Sequence, residues 1–221
     1  VSAAEAKSLA RARPFKDETF EQLIALVAAR TPTPGGGTVA ALAAALGAAL
    51  SCMAVRFSLQ RKETSPETEA VLQTLEQGLV DLAVRFQRLG DEDSDSFEAV
   101  RNARKLPQGS DAEKTARKSA LEAATATSAE VPLRTLRLAR DGLELVDGVT
   151  SVLNRNLATD AASGALLLRS AARCAALNVR VNVVGDASPR AAGLRAEVAK
   201  LLERCEELEK RVVAWTEALL A

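Results

Sequence analysis

Apolar residues recur along this chain at helical spacing, with no sustained strand-like alternation of apolar and polar positions. Phe20, Leu23, Ile24 and Val27 fall at i, i+3, i+4 and i+7 and predict a first helix over 17–30. The run Thr31-Pro-Thr-Pro-Gly-Gly-Gly-Thr38 then stops it, and Thr38 reads as the N-cap of a second helix over 39–61. That helix carries no charge from Thr38 to Val55, a length that touches the transmembrane range. Its alanine content and its polar, glycine-rich start fit a different place: buried on nearly all sides of a bundle. Its small side chains would let neighbouring helices, or another subunit, come close.

Ser65-Pro66 reads as N-cap and first residue of a third helix. There Leu72, Leu75, Leu79, Leu82, Phe86 and Leu89 alternate spacings of three and four, a heptad seam. The next seam position is Asp93, after which Phe97 and Val100 resume the apolar pattern, and Leu106-Pro107 closes the segment. Ser110 and Glu113 fit a capping box for a fourth helix. Pro132 predicts a kink or break, so 133–153 reads as a further amphipathic helix. Asn154-Arg155-Asn156 reads as a turn, 157–184 as a helix of small residues, and Ser188-Pro189 as the start of the last helix. In that helix Leu194, Val198, Leu201, Cys205, Leu208, Val212, Trp215 and Leu219 hold strict four–three alternation. The pattern predicts an all-α fold, a multi-helix bundle with long heptad-patterned helices, and a dimer built on its surplus apolar faces. One domain over 1–221 is expected, with 1–15 as a flexible or loosely packed N-terminal segment.

Composition narrows the chemistry. Of 221 residues 44 are Ala, which strengthens the helical reading. Lys+Arg and Asp+Glu are both 29, so the chain lacks the basic footprint of a nucleic-acid binder and offers no polybasic segment to a membrane. No His and no Tyr occur, which removes Ser-His-Asp triads, Cys-His pairs, imidazole metal sites and tyrosine acids. Acid–base work is left to Asp, Glu, Lys, Cys or water. Cys52, Cys174 and Cys205 are widely spaced without a C-x-x-C, and read as buried thiols in a reducing compartment. With no continuous apolar stretch in 1–15, a cytoplasmic location is expected.

Three places break the helical logic. Asp93 interrupts an apolar seam. Either the seam ends there in a solvated acidic face with Asp91, Glu92 and Asp95, or a buried carboxylate with a raised pKa is available as general acid or base. The turn with Pro34, Gly35, Gly36, Gly37 and Thr38 allows close backbone approach to a ligand at a helix N-terminus, or is a plain helix–helix turn. It is neither a Walker loop nor a dinucleotide fingerprint, because no Gly-Lys-Ser/Thr follows and no strand precedes. Asp160, Asn178 and Asn182 share a helical row that is either a polar pocket or a buried hydrogen-bond network between helices. Lys62 most simply ends the second helix as a cation at its C-terminus.

These elements, in this order, resemble the C-terminal family of formiminotransferase-cyclodeaminase, the cyclodeaminase/cyclohydrolase family of folate enzymes. The resemblance runs from about Asp17 to the C-terminus. It rests first on Thr31-Pro-Thr-Pro-Gly-Gly-Gly-Thr38 before an Ala-rich helix. Asp93-x-x-x-Phe97-x-x-Val100 with Lys105-Leu106-Pro107 follows, then Pro132, Asn156-x-x-Thr159-Asp160 and Asn178-x-x-x-Asn182. Thr38 and Thr159 stand where the family usually has Ser. The resemblance implies a dimeric all-α fold acting on one-carbon tetrahydrofolates without metal or redox cofactor. The reaction it implies first is ring closure of 5-formiminotetrahydrofolate to 5,10-methenyltetrahydrofolate with loss of ammonia. The alternatives are methenyltetrahydrofolate cyclohydrolase and a catalytically inactive folate-binding or scaffold dimer. It further implies Asp93 as the acid–base residue. Asp160, Asn156, Asn178 and Asn182 would orient the substrate, the glycine turn would hold a polar group of it, and Lys62 would attract its glutamate tail.

Overall fold

A computed structural model describes residues 14–59 and 64–221. Among the described residues six α-helices and two short 3-10 turns account for the regular structure, with no strand. The helices are α1 (Phe20–Ala28), α2 (Gly36–Leu59), α3 (Pro66–Arg104), α4 (Asp111–Val149), α5 (Ala158–Asn182) and α6 (Pro189–Leu220). The 3-10 turns are Phe15–Asp17 and Arg155–Leu157. The expectation for Lys62 lies outside the described residues, as does most of 1–15, although Phe15 at its end is buried.

Capping explains most of the boundaries. Thr19, Ser65, Ser110 and Ser188 each accept a backbone N–H of the following helix through their hydroxyls, and Thr19–Gln22 and Ser110–Glu113 form full capping boxes. The α3 seam behaves as its spacing predicts: Leu72, Leu75, Leu79, Leu82, Phe86 and Leu89 are all buried. Each such side chain contributes about 1.5–3 kcal/mol. In α6, Val198, Leu201, Cys205, Leu208 and Val212 are buried, with Leu194, Trp215 and Leu219 half-buried at the ends.

Helix α2 packs on α3 and α5, α4 packs on the same two helices, and α6 lies against α4 and α5. This makes an up-and-down four-helix bundle with a fifth long helix along one side. Within it α2 and α5 run antiparallel in close contact. A Cβ on Gly47 would lie 2.9 Å from the Gly164 carbonyl, and one on Gly164 would collide with the Ser51 hydroxyl. Only glycine at both positions lets these backbones meet. The bundle therefore has a turn end, where Gly36 neighbours Asn178, and a far end, where the Ser58 hydroxyl accepts the Asn154 N–H at 2.9 Å.

Four expectations are corrected. Helix α4 runs unbroken through Pro132 to Val149, so 133–153 is not a separate helix. The α1 stripe does not face the core: Leu26 is buried, while Phe20, Ile24 and Val27 are exposed, because α1 is anchored by one side only. Helix α2 is not enclosed on nearly all sides, since Val39, Leu46 and Phe57 are exposed on its outer face. Cys174 is exposed, unlike Cys52 and Cys205. Burial pushes the Cys205 thiol up to about 11, which keeps it an inert apolar filler.

Candidate active site

The glycine turn and the α3 seam meet at Asp93. Helix α2 starts at Gly36, two residues before the predicted cap, and the Gly35 carbonyl accepts the Val39 N–H at 3.0 Å. Thr38 therefore sits inside the first turn, fully buried, and does not cap its own helix. Its hydroxyl donates to Asp93 Oδ2 at 2.9 Å and shares a 3.0 Å bond with Ser94 Oγ. Its backbone N–H is bonded to the same carboxylate. Asp93 thus caps α2 from a neighbouring helix, the role the sequence reading gave to Thr38. Gly37 makes this possible: a Cβ there would lie 2.8 Å from Asp93 Oδ2 and closer still to Oδ1.

Two opposed effects set the proton affinity of this carboxylate. Burial raises the Asp93 pKa and is the larger effect; the Thr38 hydroxyl and N–H lower it. The net direction is up from the ordinary carboxylate value, as a group that both takes and returns a proton near neutrality requires. The solvated-face alternative does not hold for Asp93, although Asp95 is exposed. Phe97 is also exposed in part, while Val100 restores the buried seam.

Gly36 brings in α5, since a Cβ there would lie 3.4 Å from Asn178 Nδ2. Asn178 is half-buried, and its amide donates to the Cys174 carbonyl at 2.9 Å. Pro34 belongs to the same end. It lines a cavity of about 300 Å³ with Pro32, Phe15, Leu26, Arg101 and Ser94, the last of which shares the Thr38 hydrogen bond. Ser94 was not anticipated; the sequence shows only a serine directly after the seam carboxylate, and its burial emerges with the fold.

Asn182 joins the fold rather than the cluster. Its Nδ2 donates to the Ser128 carbonyl at 3.0 Å. Ser128 is the residue whose i+4 partner is Pro132, which has no N–H to give. Asn182 replaces that missing bond from another helix, which is why α4 continues unbroken and why the network alternative holds at this position.

Asn156 and Asp160 lie at the far end. Asn156 is exposed on the second 3-10 turn, where its N–H donates to Asn154 Oδ1 at 3.1 Å. Asp160 is half-buried in the first turn of α5. Eighteen helical residues separate it from Asn178, about 27 Å along the axis. One chain therefore unites Asp93, Thr38, the glycines and Asn178, and leaves Asn156 and Asp160 apart. Among the described residues no group of three or more Cys, Asp or Glu stands ready to hold a metal ion.

The family model of formiminotransferase-cyclodeaminase matches residues 19–188 of this chain. The chain is 34% identical over 205 residues to the methenyltetrahydrofolate cyclohydrolase of Methylorubrum extorquens, covering 89% of this chain and 98% of that protein. It is 27% identical over 194 residues to the formimidoyltransferase-cyclodeaminase of Gallus gallus, covering 88% of this chain but 35% of that longer protein. The crystal structure of formiminotetrahydrofolate cyclodeaminase from Thermotoga maritima superposes with a TM-score of 0.83 at 23% identity, over 93% of this chain and 99% of that one, a likeness of fold.

Proposed function

The chain belongs to the formiminotransferase-cyclodeaminase family, and from that premise we propose that it is an enzyme of one-carbon tetrahydrofolates. We propose hydrolysis of 5,10-methenyltetrahydrofolate to 10-formyltetrahydrofolate as its principal reaction. The observation that carries an acid–base enzyme is Asp93, a desolvated carboxylate held by Thr38 under the first turn of α2. The cyclohydrolase assignment is favoured by the relative matched over nearly its whole length.

In this reaction water adds to the methenyl carbon of a cationic amidinium and Asp93 takes one of its protons; Asp93 returns that proton to N5 as the carbon–N5 bond breaks, and the carbinol hydroxyl releases the second proton to solvent as the formyl carbonyl forms. A carboxylate suits each requirement: it accepts the proton, returns it, and stabilises the cation before attack. The α2 N-terminus and the unhindered Gly36 backbone would hold a polar substrate group nearby.

A second reading, cyclodeamination of 5-formiminotetrahydrofolate, is favoured by the same carboxylate and by the Thermotoga fold. There N10 attacks the formimino carbon, ammonia leaves, and one carboxylate moves the proton from N10 to the departing nitrogen.

The test is spectrophotometric. Purified protein is given 5,10-methenyltetrahydrofolate and, separately, 5-formiminotetrahydrofolate. Loss of methenyl absorbance faster than in buffer supports the cyclohydrolase. Growth of that absorbance from the formimino substrate supports the second reading. No effect on either would leave a binding or scaffold protein and overturn both.

A further inference from the structure

Buried hydroxyls in this bundle mostly serve the helix they stand on. Ser51, Ser58, Ser96, Thr135 and Thr216 each donate to a carbonyl one turn back in their own helix. Thr38 and Ser94 differ. Both are buried, and they bond to each other across two helices at 3.0 Å, with either hydroxyl able to act as donor. Thr38 Oγ1 lies 2.9 Å from Asp93 Oδ2 at one end of this pair. At the other end Ser94 forms part of the wall of the cavity under the glycine turn. That wall is polar, with Thr31, Thr33, Asp95, Glu98 and Arg101. Thr31 and Asp95 are exposed and mark its mouth. Its volume of about 300 Å³ has room for several waters at about 30 Å³ each. An unbroken row of exchangeable hydrogens therefore leads from the carboxylate to the cavity. Thr38 alone suffices to hold Asp93; the second hydroxyl adds continuity.

We infer that Asp93, Thr38 and Ser94 form a proton relay, and that the cavity under the glycine turn is its exit to solvent. The relay rests on the hydrolysis proposed above, in which a methenyl cation and water give a neutral formyl product and one proton. Once Asp93 has returned the first proton to N5 it is ionised again. It then takes the second from the carbinol hydroxyl as the formyl carbonyl forms. A carboxylate has about four lone-pair sites, so Thr38 leaves room for this contact. The proton on Asp93 passes to Thr38 Oγ1, the hydrogen of Thr38 passes to Ser94 Oγ, and that of Ser94 passes to a cavity water. Each hydroxyl gains one hydrogen and loses one. Asp93 ends ionised, and rotation of the two hydroxyls restores their starting directions. Burial favours the protonated form of Asp93, so a path that empties it while product still occupies the turn speeds the next cycle. Ser94 touches no substrate; it acts through Thr38.

Three substitutions at Ser94 decide it, each assayed with 5,10-methenyltetrahydrofolate. Threonine keeps the hydroxyl, alanine leaves space for a water, and valine fills that space without a donor. Thr and Val have nearly the same shape, so any cost of crowding falls on both alike. The relay predicts the order Ser94→Thr, Ser94→Ala, Ser94→Val from fastest to slowest. Ser94→Thr should keep kcat within about threefold of wild type and Ser94→Val should lose at least about tenfold, with KM unchanged in both. The solvent deuterium isotope effect on kcat should rise in Ser94→Ala and Ser94→Val, because proton exit becomes the slow step. Turnover that follows side-chain size, with Ser94→Thr as slow as Ser94→Val, overturns the relay, as does an isotope effect unchanged in Ser94→Ala. Wild-type kcat in all three variants overturns it while leaving the folate reading intact. If the wild-type protein itself does not hydrolyse methenyltetrahydrofolate, that reading fails and the relay falls with it.

Discussion

The two ends of the α2–α5 pair use similar residues for different purposes. At the far end, polar groups answer to the backbone. Ser58 accepts the Asn154 N–H, Asn154 accepts the Asn156 N–H, and the Thr216 hydroxyl donates to the Ala158 carbonyl at 3.1 Å. At the turn end they converge on one carboxylate: Thr38 donates twice to Asp93, Ser94 supports Thr38, and Gly37 clears the space. A hydroxyl or amide that satisfies a backbone group stabilises a turn. A set that surrounds a buried acid tunes a proton affinity. Chemical type alone does not separate these roles; the group at the centre does.

The sharpest way to break the contrast is Asp93→Asn. Asn keeps an oxygen to accept from Thr38, so the cap on α2 survives, but it cannot exchange a proton. Turnover should fall about 10²–10⁴-fold with folate affinity much less changed. Stability carries the opposite sign. Because the folded pKa of Asp93 is raised, the native state binds the proton more tightly than the unfolded chain, and stability falls as pH rises through that window. Asp93→Asn should therefore be as stable as wild type or more so at pH 7, with the advantage vanishing in acid. Turnover like wild type would remove Asp93 from the mechanism. Next in size is Gly37→Ala, whose methyl would displace the carboxylate. It should cost about 10²-fold in kcat, the scale of losses when a reacting group is misplaced by about 1 Å. The same change at Gly36, where a Cβ meets Asn178 at an ordinary distance, should cost far less.

Thr38 gives a smaller and more diagnostic effect. Its hydroxyl lowers the Asp93 pKa against the pull of burial. Thr38→Val removes that donor, so the acid limb of the pH–rate profile should move to higher pH, with kcat at pH 7 down about tenfold. Thr38→Ser should restore both. A profile that does not move would mean the Thr38–Asp93 bond serves only to start α2.

Most of this fold was legible because buried seams declare themselves. The three–four alternation from Leu72 to Leu89 and from Val198 to Val212, with Ser and Pro at helix starts, sufficed for α3 and α6. Helix α2 was half legible: a stretch without charge reads as buried all round, and sequence cannot distinguish the face covered by this chain from the face left bare. Asp93 was legible as an interruption of a seam. Its capping of α2 was not, since it joins residues 55 apart. The row of Asp160, Asn178 and Asn182 had the right phase but hid 27 Å of separation, because a shared helix face says nothing of which neighbour each residue meets.

The smallest effect on activity, and the cleanest separation of fold from chemistry, is expected at Asn182. Its amide replaces a bond that Pro132 cannot make to the Ser128 carbonyl. Asn182→Ala leaves that buried carbonyl unpaired and should cost about 1–3 kcal/mol, read from denaturant unfolding, with turnover per folded molecule unchanged. The partner of this measurement is Pro132→Ala, which returns an N–H to position 132 and lets α4 close its own bond. If the two residues serve one carbonyl, their effects are not additive: Asn182→Ala should cost clearly less in the Pro132→Ala chain than in wild type, with a coupling of about 0.5–3 kcal/mol. Equal costs in both backgrounds would sever Asn182 from Pro132. A loss of turnover in Asn182→Ala at full folding would return the residue to the active site, and the contrast with Asn178 one helical turn away would collapse.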